Sequence, residues 1–319
     1  MSVAVAACSP ASPGGAPAAP GSVAATASTS AAQSAPQAPS QTASQTASTS
    51  PAASSSPSTA RPITVAYGTD ASQVADLYLP AGTGVVPVVV VIHGGYWQKD
   101  YGNSLGAPLA EQLATEGVAA WNIEYRRVGN GGGWPTTLED VAAAIDALAG
   151  KGQAAAGGRL DLAHVVTLGH SAGGMLAVWA AARPQLPKGA PGAGPKVLVT
   201  GAVAQAGVLD LRTGAADGLG GGAVQSLLGG EPKQFPARYA VADPSLLVPL
   251  RVPVTLVHGT SDDVVPMDQS ESYVGAARKA GDHPKLIRID GADHFALINP
   301  DKPAGRASLD AALALTRTS

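Results

Sequence analysis

Val165-Val166-Thr167-Leu168-Gly169-His170-Ser171-Ala172-Gly173-Gly174-Met175-Leu176-Ala177-Val178-Trp179-Ala180-Ala181 is the stretch whose reading decides the fold. Its first part, Val165–Leu168, is a short apolar run of the kind that makes a buried strand. Its last part, from Gly174 onward, is alanine-rich and apolar and reads as a helix. Between them, Gly169-His170-Ser171-Ala172-Gly173 has the G-x-S-x-G spacing of a sharp strand-to-helix turn with its serine hydroxyl exposed at the tip. Glycines two residues either side of the serine remove Cβ atoms that would crowd so tight a turn. The helix that follows aims its free N–H groups and positive dipole end at the serine, where a developing oxyanion can be held. The same five letters also suit a glycine-rich loop whose serine only caps a helix.

Working outward, strands and helices alternate. Ile63–Tyr67 and Val74–Leu79 read as an antiparallel hairpin, with Gly68-Thr69-Asp70 near the turn. Pro87–Ile92 is β-branched throughout, the pattern of a strand buried on both faces. Helical spacing covers Leu105–Glu116, Thr137–Ala149, Asp268–Lys279 and Ala304–Thr316. Further strands are expected at Val118–Tyr125, Val197–Ala204, Val254–Val257 and Lys285–Ile289. The order predicts an α/β domain over residues 61–319, with a mostly parallel central sheet flanked by helices on both faces. Leu211–Ser245 is glycine-rich and reads as an irregular segment that partly covers the site, without a large cap domain.

In such a sheet, the loops at the strand C-termini form the site. After Pro87–Ile92 comes His93-Gly94-Gly95-Tyr96-Trp97, whose glycines let backbone N–H groups approach a ligand closely. After Val254–Val257 comes His258-Gly259-Thr260-Ser261-Asp262-Asp263-Val264-Val265-Pro266. After Lys285–Ile289 comes Asp290-Gly291-Ala292-Asp293-His294-Phe295. Of the other histidines, His164 begins a strand, His170 lies inside the turn, His258 ends a strand and His283 precedes Pro284 in a surface turn. No H-E-x-x-H or similar spacing suggests a metal.

Together these residues resemble the α/β-hydrolase superfamily, in its esterase/lipase branch, across residues 61–319. His93–Trp97 resembles the HGGG-type oxyanion loop, with tyrosine in place of the third glycine, and also the corresponding loop of kynurenine formamidase. His258–Pro266 is similar to the HGxxDxxVP acid turn of that superfamily, and His294-Phe295 to its GxxHF histidine context. Trp134-Pro135 and Asp243-Pro244-Ser245 resemble further positions of the branch. The resemblance implies a catalytic triad of Ser171, Asp262 and His294, in the chain order this fold uses. It implies oxyanion donors at the amides of Gly95, Tyr96 and Ala172, with His93 bracing the loop and Tyr96 and Trp97 either lining the pocket or packing the loop. The implied activity is hydrolysis of small carboxylic esters through an acyl-enzyme, with no cofactor. An arylformamidase-like amide hydrolase or a peptidase is the alternative on the same scaffold. A non-catalytic surface-binding protein is a third reading, disfavoured because all three triad residue types are present.

Composition bounds the rest. The net charge of −3 gives no reason to expect nucleic acid or an anionic membrane as partner. With 45% hydrophobic residues the chain can bury a sizeable core. The single cysteine, Cys8, excludes an intrachain disulfide. Val5-Ala6-Ala7-Cys8-Ser9 resembles the end of a bacterial lipobox, although no positive n-region precedes it and its apolar part is short. Residues 9 to 60 are almost exclusively Ala, Ser, Pro, Thr, Gln and Gly, too polar to bury a core, and read as a disordered leader and tether. A lipidated Cys8 would place the protein outside the cytoplasm, anchored to a membrane; an unprocessed N-terminus would leave it cytoplasmic.

Overall fold

A computed structural model describes residues 61–317. The expected leader at 1–60, with Cys8, lies outside the described residues. The strands are β1 (Ile63–Ala66), β2 (Val74–Tyr78), β3 (Val86–Ile92), β4 (Ala119–Ile123), β5 (Leu160–His170), β6 (Gly201–Gln205), β7 (Val254–Gly259) and β8 (Lys285–Ile289). The helices are α1 (Ala107–Thr115), α2 (Thr136–Asp146), α3 (Lys151–Ala155), α4 (Ala172–Ala182), α5 (Leu211–Ala216), α6 (Leu219–Leu228), α7 (Pro236–Ala242), α8 (Met267–Lys279) and α9 (Pro303–Leu315).

All eight strands join one sheet in the order β1-β2-β4-β3-β5-β6-β7-β8. The pairs β1–β2 and β2–β4 are antiparallel, and every later pair is parallel. This is the α/β-hydrolase fold. Val88, Val90 and Ile92 of β3 enter the core beneath α2, α4 and α8, whereas Val89 and Val91 enter the core beneath α1 and α9. A strand buried on both faces has no polar side to show, hence its continuous valines. Helix α4 lies in the middle of the first core with all eleven residues buried, and its sequence is accordingly apolar all round.

The topology dictates where a ligand can bind. From β3 the chain crosses to β4 on one side and later returns to β5 on the other. The strand order therefore reverses at β3, and the crevice at such a switch point is where open α/β sheets bind ligands. Ile92 of β3 pairs with Gly169 of β5, so the loops after both strands leave the sheet side by side.

Several boundaries differ from the sequence pattern, each for a local reason. The helix expected from Leu105 starts at Ala107, after a 3-10 turn at Asn103–Leu105. Gly106 separates the two, and a Cβ there would stand 2.6 Å from Asn122 Oδ1. Strand β6 begins at Gly201 rather than Val197, because Asp146 takes the amides of Lys196 and Val197 at 3.0 and 3.2 Å before they can join a ladder. Strand β5 extends back to Leu160 through a register shift opposite Pro87 and Val88. Leu211–Ser245 is not irregular: it forms α5, α6 and α7, and buries Leu211, Val224, Leu227, Leu228 and Tyr239. The sequence hid α6 behind Gly220-Gly221-Gly222, which take left-handed φ of 59°, 67° and 87° at its start.

Candidate active site

Ser171 sits between β5 and α4 with φ 55° and ψ −119°, a conformation costly for any residue with a Cβ. Tight surroundings impose it. A Cβ on Gly169 would stand 2.0 Å from the Gly173 carbonyl oxygen, and one on Gly173 would stand 2.2 Å from the Ile92 carbonyl oxygen. No side chain fits at either position, which accounts for both glycines of the pentapeptide. The Ser171 N–H donates to the Gln205 carbonyl at 2.8 Å, tying the turn to β6. As a whole residue, Ser171 is only 4% exposed. The loop after β3 presses on it so closely that a Cβ on Gly94 would reach 3.1 Å from Ser171 Cβ.

That loop is itself strained. Gly95, Tyr96 and Trp97 have consecutive positive φ of 108°, 54° and 55°. Two anchors hold it. The Trp97 indole N–H donates to the Ala172 carbonyl at 3.1 Å, and at the loop's far end the Val128 N–H donates to the Trp97 carbonyl at 2.9 Å while the Val128 carbonyl accepts from the Lys99 N–H at 3.0 Å. Trp97 is fully buried, so of the two roles expected for it, packing the loop is the one it takes. The amides of Gly95 and Tyr96 make no hydrogen bond among the described residues. As the first residue of α4, Ala172 likewise has an amide without an intrahelical acceptor. The half-buried Tyr96 ring rests on α6 at Gly220, where a Cβ would stand 2.4 Å from its Cδ1.

His93 braces the loop through a network that sequence reasoning missed. Its Nε2 lies 3.1 Å from Glu124 Oε1, its Nδ1 lies 2.7 Å from the Gly94 carbonyl, and its ring stacks on Tyr125 at 4.4 Å. The Tyr125 hydroxyl donates to the His93 carbonyl at 2.8 Å, and Arg127 is hydrogen-bonded to Glu124. Burial alone would push the Glu124 carboxyl up, but the bonds from His93 and Arg127 hold it at about 2. The signal was present: Glu124-Tyr125-Arg126-Arg127 is a charged run directly after a buried strand.

Asp262 and His294 come together from the loops after β7 and β8. His294 Nδ1–H donates to Asp262 Oδ2 at 2.7 Å. Asp262 Oδ1 accepts from the amides of Val264 and Val265 at 2.9 and 2.8 Å. His258 stands 3.5 Å from Asp262 Oδ2, but its ring is locked between the Ser270 hydroxyl at 2.8 Å and the Val265 carbonyl at 2.9 Å. Burial raises the Asp262 carboxyl pKa; the facing imidazoles and the Val265 amide outweigh that and keep it well below the usual carboxylate range. Two other histidines also stand near acids, His258 at Asp262 and His164 at Asp161, the latter at 2.7 Å near the far end of β5. Asp263 remains exposed.

His170 links the two halves. Its ring lies 4.4 Å from that of His294, and its Nε2–H donates to the His294 carbonyl at 3.0 Å. Burial, with the positive charge available to His294 beside it, lowers its pKa to about 3, so it is neutral at pH 7. Ser171 Oγ makes no hydrogen bond to His294 among the described residues. In substrate-free hydrolases this contact is often long and tightens in the complex.

Solved structures share the fold. A truncated carbohydrate esterase from gut microbiota superposes with a TM-score of 0.69 at 20% identity, covering 84% of this chain and 99% of its own. Esterase B from Lactobacillus rhamnosis gives a TM-score of 0.68 at 22% identity, covering 80% of this chain and 86% of its own. Among sequence relatives, the "Probable isoprenylcysteine alpha-carbonyl methylesterase ICMEL1" of Oryza sativa subsp. japonica is 29% identical over 254 residues, 76% of this chain. The match spans 59% of that relative's length. The BD-FAE family model matches residues 75–276, a span that holds the His93 loop, Ser171 and Asp262 and ends before His294. Because that match takes in more than half of the sequence, this chain belongs to the BD-FAE family.

Proposed function

We propose that the protein is a serine hydrolase that cleaves small carboxylic esters through a triad of Ser171, His294 and Asp262. The observation that carries the reading is the Asp262–His294 hydrogen bond at 2.7 Å, with His294 lying against His170, the residue before a strained Ser171, and the amides of Gly95 and Tyr96 unbonded among the described residues. Asp262 occupies Nδ1, which leaves the Nε2 lone pair of His294 to take the Ser171 proton as its oxygen attacks the ester carbon. The amides of Gly95, Tyr96 and Ala172 receive the oxyanion, each donor contributing about 3–4 kcal/mol to the transition state. His294 then protonates the leaving alcohol, and later activates water to release the acid. The methylesterase names of the sequence relatives support ester over amide chemistry. Short acyl groups are favoured because three short packed helices, not a cap domain, follow β6.

Turnover of p-nitrophenyl acetate, p-nitrophenyl palmitate and N-formylkynurenine by the wild type and by Ser171→Ala tests this. The reading expects the acetate to be the best substrate and the variant to be inactive on it. Turnover of N-formylkynurenine alone would replace the ester hydrolase with an amide hydrolase. For the N-terminus we propose a lipid-modified Cys8 and an extracytoplasmic location. Intact-mass analysis of protein from its native host decides this, and an unmodified residue 8 would end the proposal.

A further inference from the structure

Phe295 is 63% exposed, although it follows His294 directly and its ring stands 5.4 Å from the imidazole at 86°. An exposed phenylalanine by itself needs no explanation. Its place beside the imidazole is what carries weight.

In acyl transfer the two halves of an ester separate at the histidine. The new bond joins Ser171 Oγ to the acyl carbon, and the bond from that carbon to the alcohol oxygen breaks. The Ser171 proton passes by way of His294 to that departing oxygen, and water then releases the acid from Ser171. The acyl half therefore stays on the serine, while the alcohol half must reach the nitrogen that protonates it. Nδ1 is occupied by Asp262, so that nitrogen is Nε2. A side chain bordering the His294 ring meets the alcohol half first. Asp262 borders it as the partner of Nδ1, and His170 borders it at 4.4 Å but is buried. Of the two rings against His294 among the described residues, Phe295 is the one with open apolar surface.

We infer that Phe295 forms the wall of the leaving-group subsite and favours esters of apolar, ring-bearing alcohols over esters of methanol. The inference rests on the triad reading above. An aromatic ring gains from edge or offset contact with a second ring beyond the area it buries, so an aryl alcohol profits most.

The test uses the full-length enzyme and three esters: benzyl acetate, methyl acetate and methyl butyrate. The first two differ only in the alcohol, the last two only in the acyl group. In Phe295→Ala, the benzyl-to-methyl ratio of kcat/KM is expected to fall about three- to tenfold, while the butyrate-to-acetate ratio holds. Phe295→Leu, which keeps an apolar group of similar bulk, is expected to lie between the two. An unchanged benzyl-to-methyl ratio would overturn the inference, whether the absolute rates fall together or stay level, because Phe295 would then only support His294. A change confined to the acyl ratio would overturn it as well and move Phe295 to the other side of the site. Failure of the triad reading looks different: Ser171→Ala would keep wild-type turnover of all three esters.

Discussion

The turn at Ser171 and the loops carrying Asp262 and His294 leave the same end of one sheet, from β5, β7 and β8, yet they are held by different means. At Ser171 the constraint is space. Gly94, Gly169 and Gly173 each face backbone at distances that leave no room for a Cβ. At Asp262 and His294 the constraint is polar. One carboxylate is fixed by two amides and an imidazole, and that imidazole stands 4.4 Å from a second, tilted one. A site half built by close packing is expected to fail abruptly when an atom is added. A half built by hydrogen bonds is expected to respond in graded fashion to polarity and pH.

The largest effect is expected from removing the nucleophile. Ser171→Ala should lower kcat by about a thousandfold or more with an unchanged circular dichroism spectrum. In the polar half, Asp262→Asn keeps shape and removes charge. It should lower kcat by about a thousandfold to ten-thousandfold while leaving KM within a small factor, as steady-state kinetics would show. A joint loss of fold would mean that Asp262 is a structural support rather than a partner of the imidazole. In the packed half, Gly173→Ala should destabilise the protein by about 3 kcal/mol or more, because the new Cβ meets the carbonyls of Ile92 and His93. Urea unfolding with unchanged midpoint would break the contrast between the two halves.

The next effect is a pH dependence centred on His170. Its folded-state pKa of about 3 lies below the ordinary value of 6.5. Between those values the unfolded chain binds a proton that the native state refuses, so stability falls as pH drops from 6.5 toward 3. Asp262, also depressed in the fold, adds to the loss as pH falls below the ordinary carboxylate range. His170→Gln should flatten the stability profile between pH 6.5 and 4, and an equally steep profile in the variant would remove His170 from the account. The smallest effect is expected from Ser270→Ala, which takes the hydroxyl from His258. A cost of about 1 kcal/mol is expected, read as a modest shift in thermal midpoint.

How much the sequence revealed follows the same division. The packed half was legible because glycine is the residue that signals a missing Cβ, so G-x-S-x-G and the glycines after β3 stood out. Asp262 and His294 were legible through flanking motifs, not through their own chemistry. What stayed hidden were contacts whose partners lie far apart in the chain. The indole of Trp97 on the Ala172 carbonyl, the Glu124 brace on His93 and the link from His170 to residue 294 have no local pattern. Helix α6 was hidden for the opposite reason. Its three glycines signal a loop, and only burial of Val224, Leu227 and Leu228 against the domain overrides that preference.

The claim on which the account depends is that both halves converge to make one serine reactive. Reaction with a fluorophosphonate followed by peptide mass mapping addresses it directly. The account expects one adduct per chain, on Ser171, with esterase activity lost in proportion to labelling, and no adduct in Asp262→Asn over the same interval. Labelling of a different serine, or full activity in protein labelled at Ser171, would contradict it.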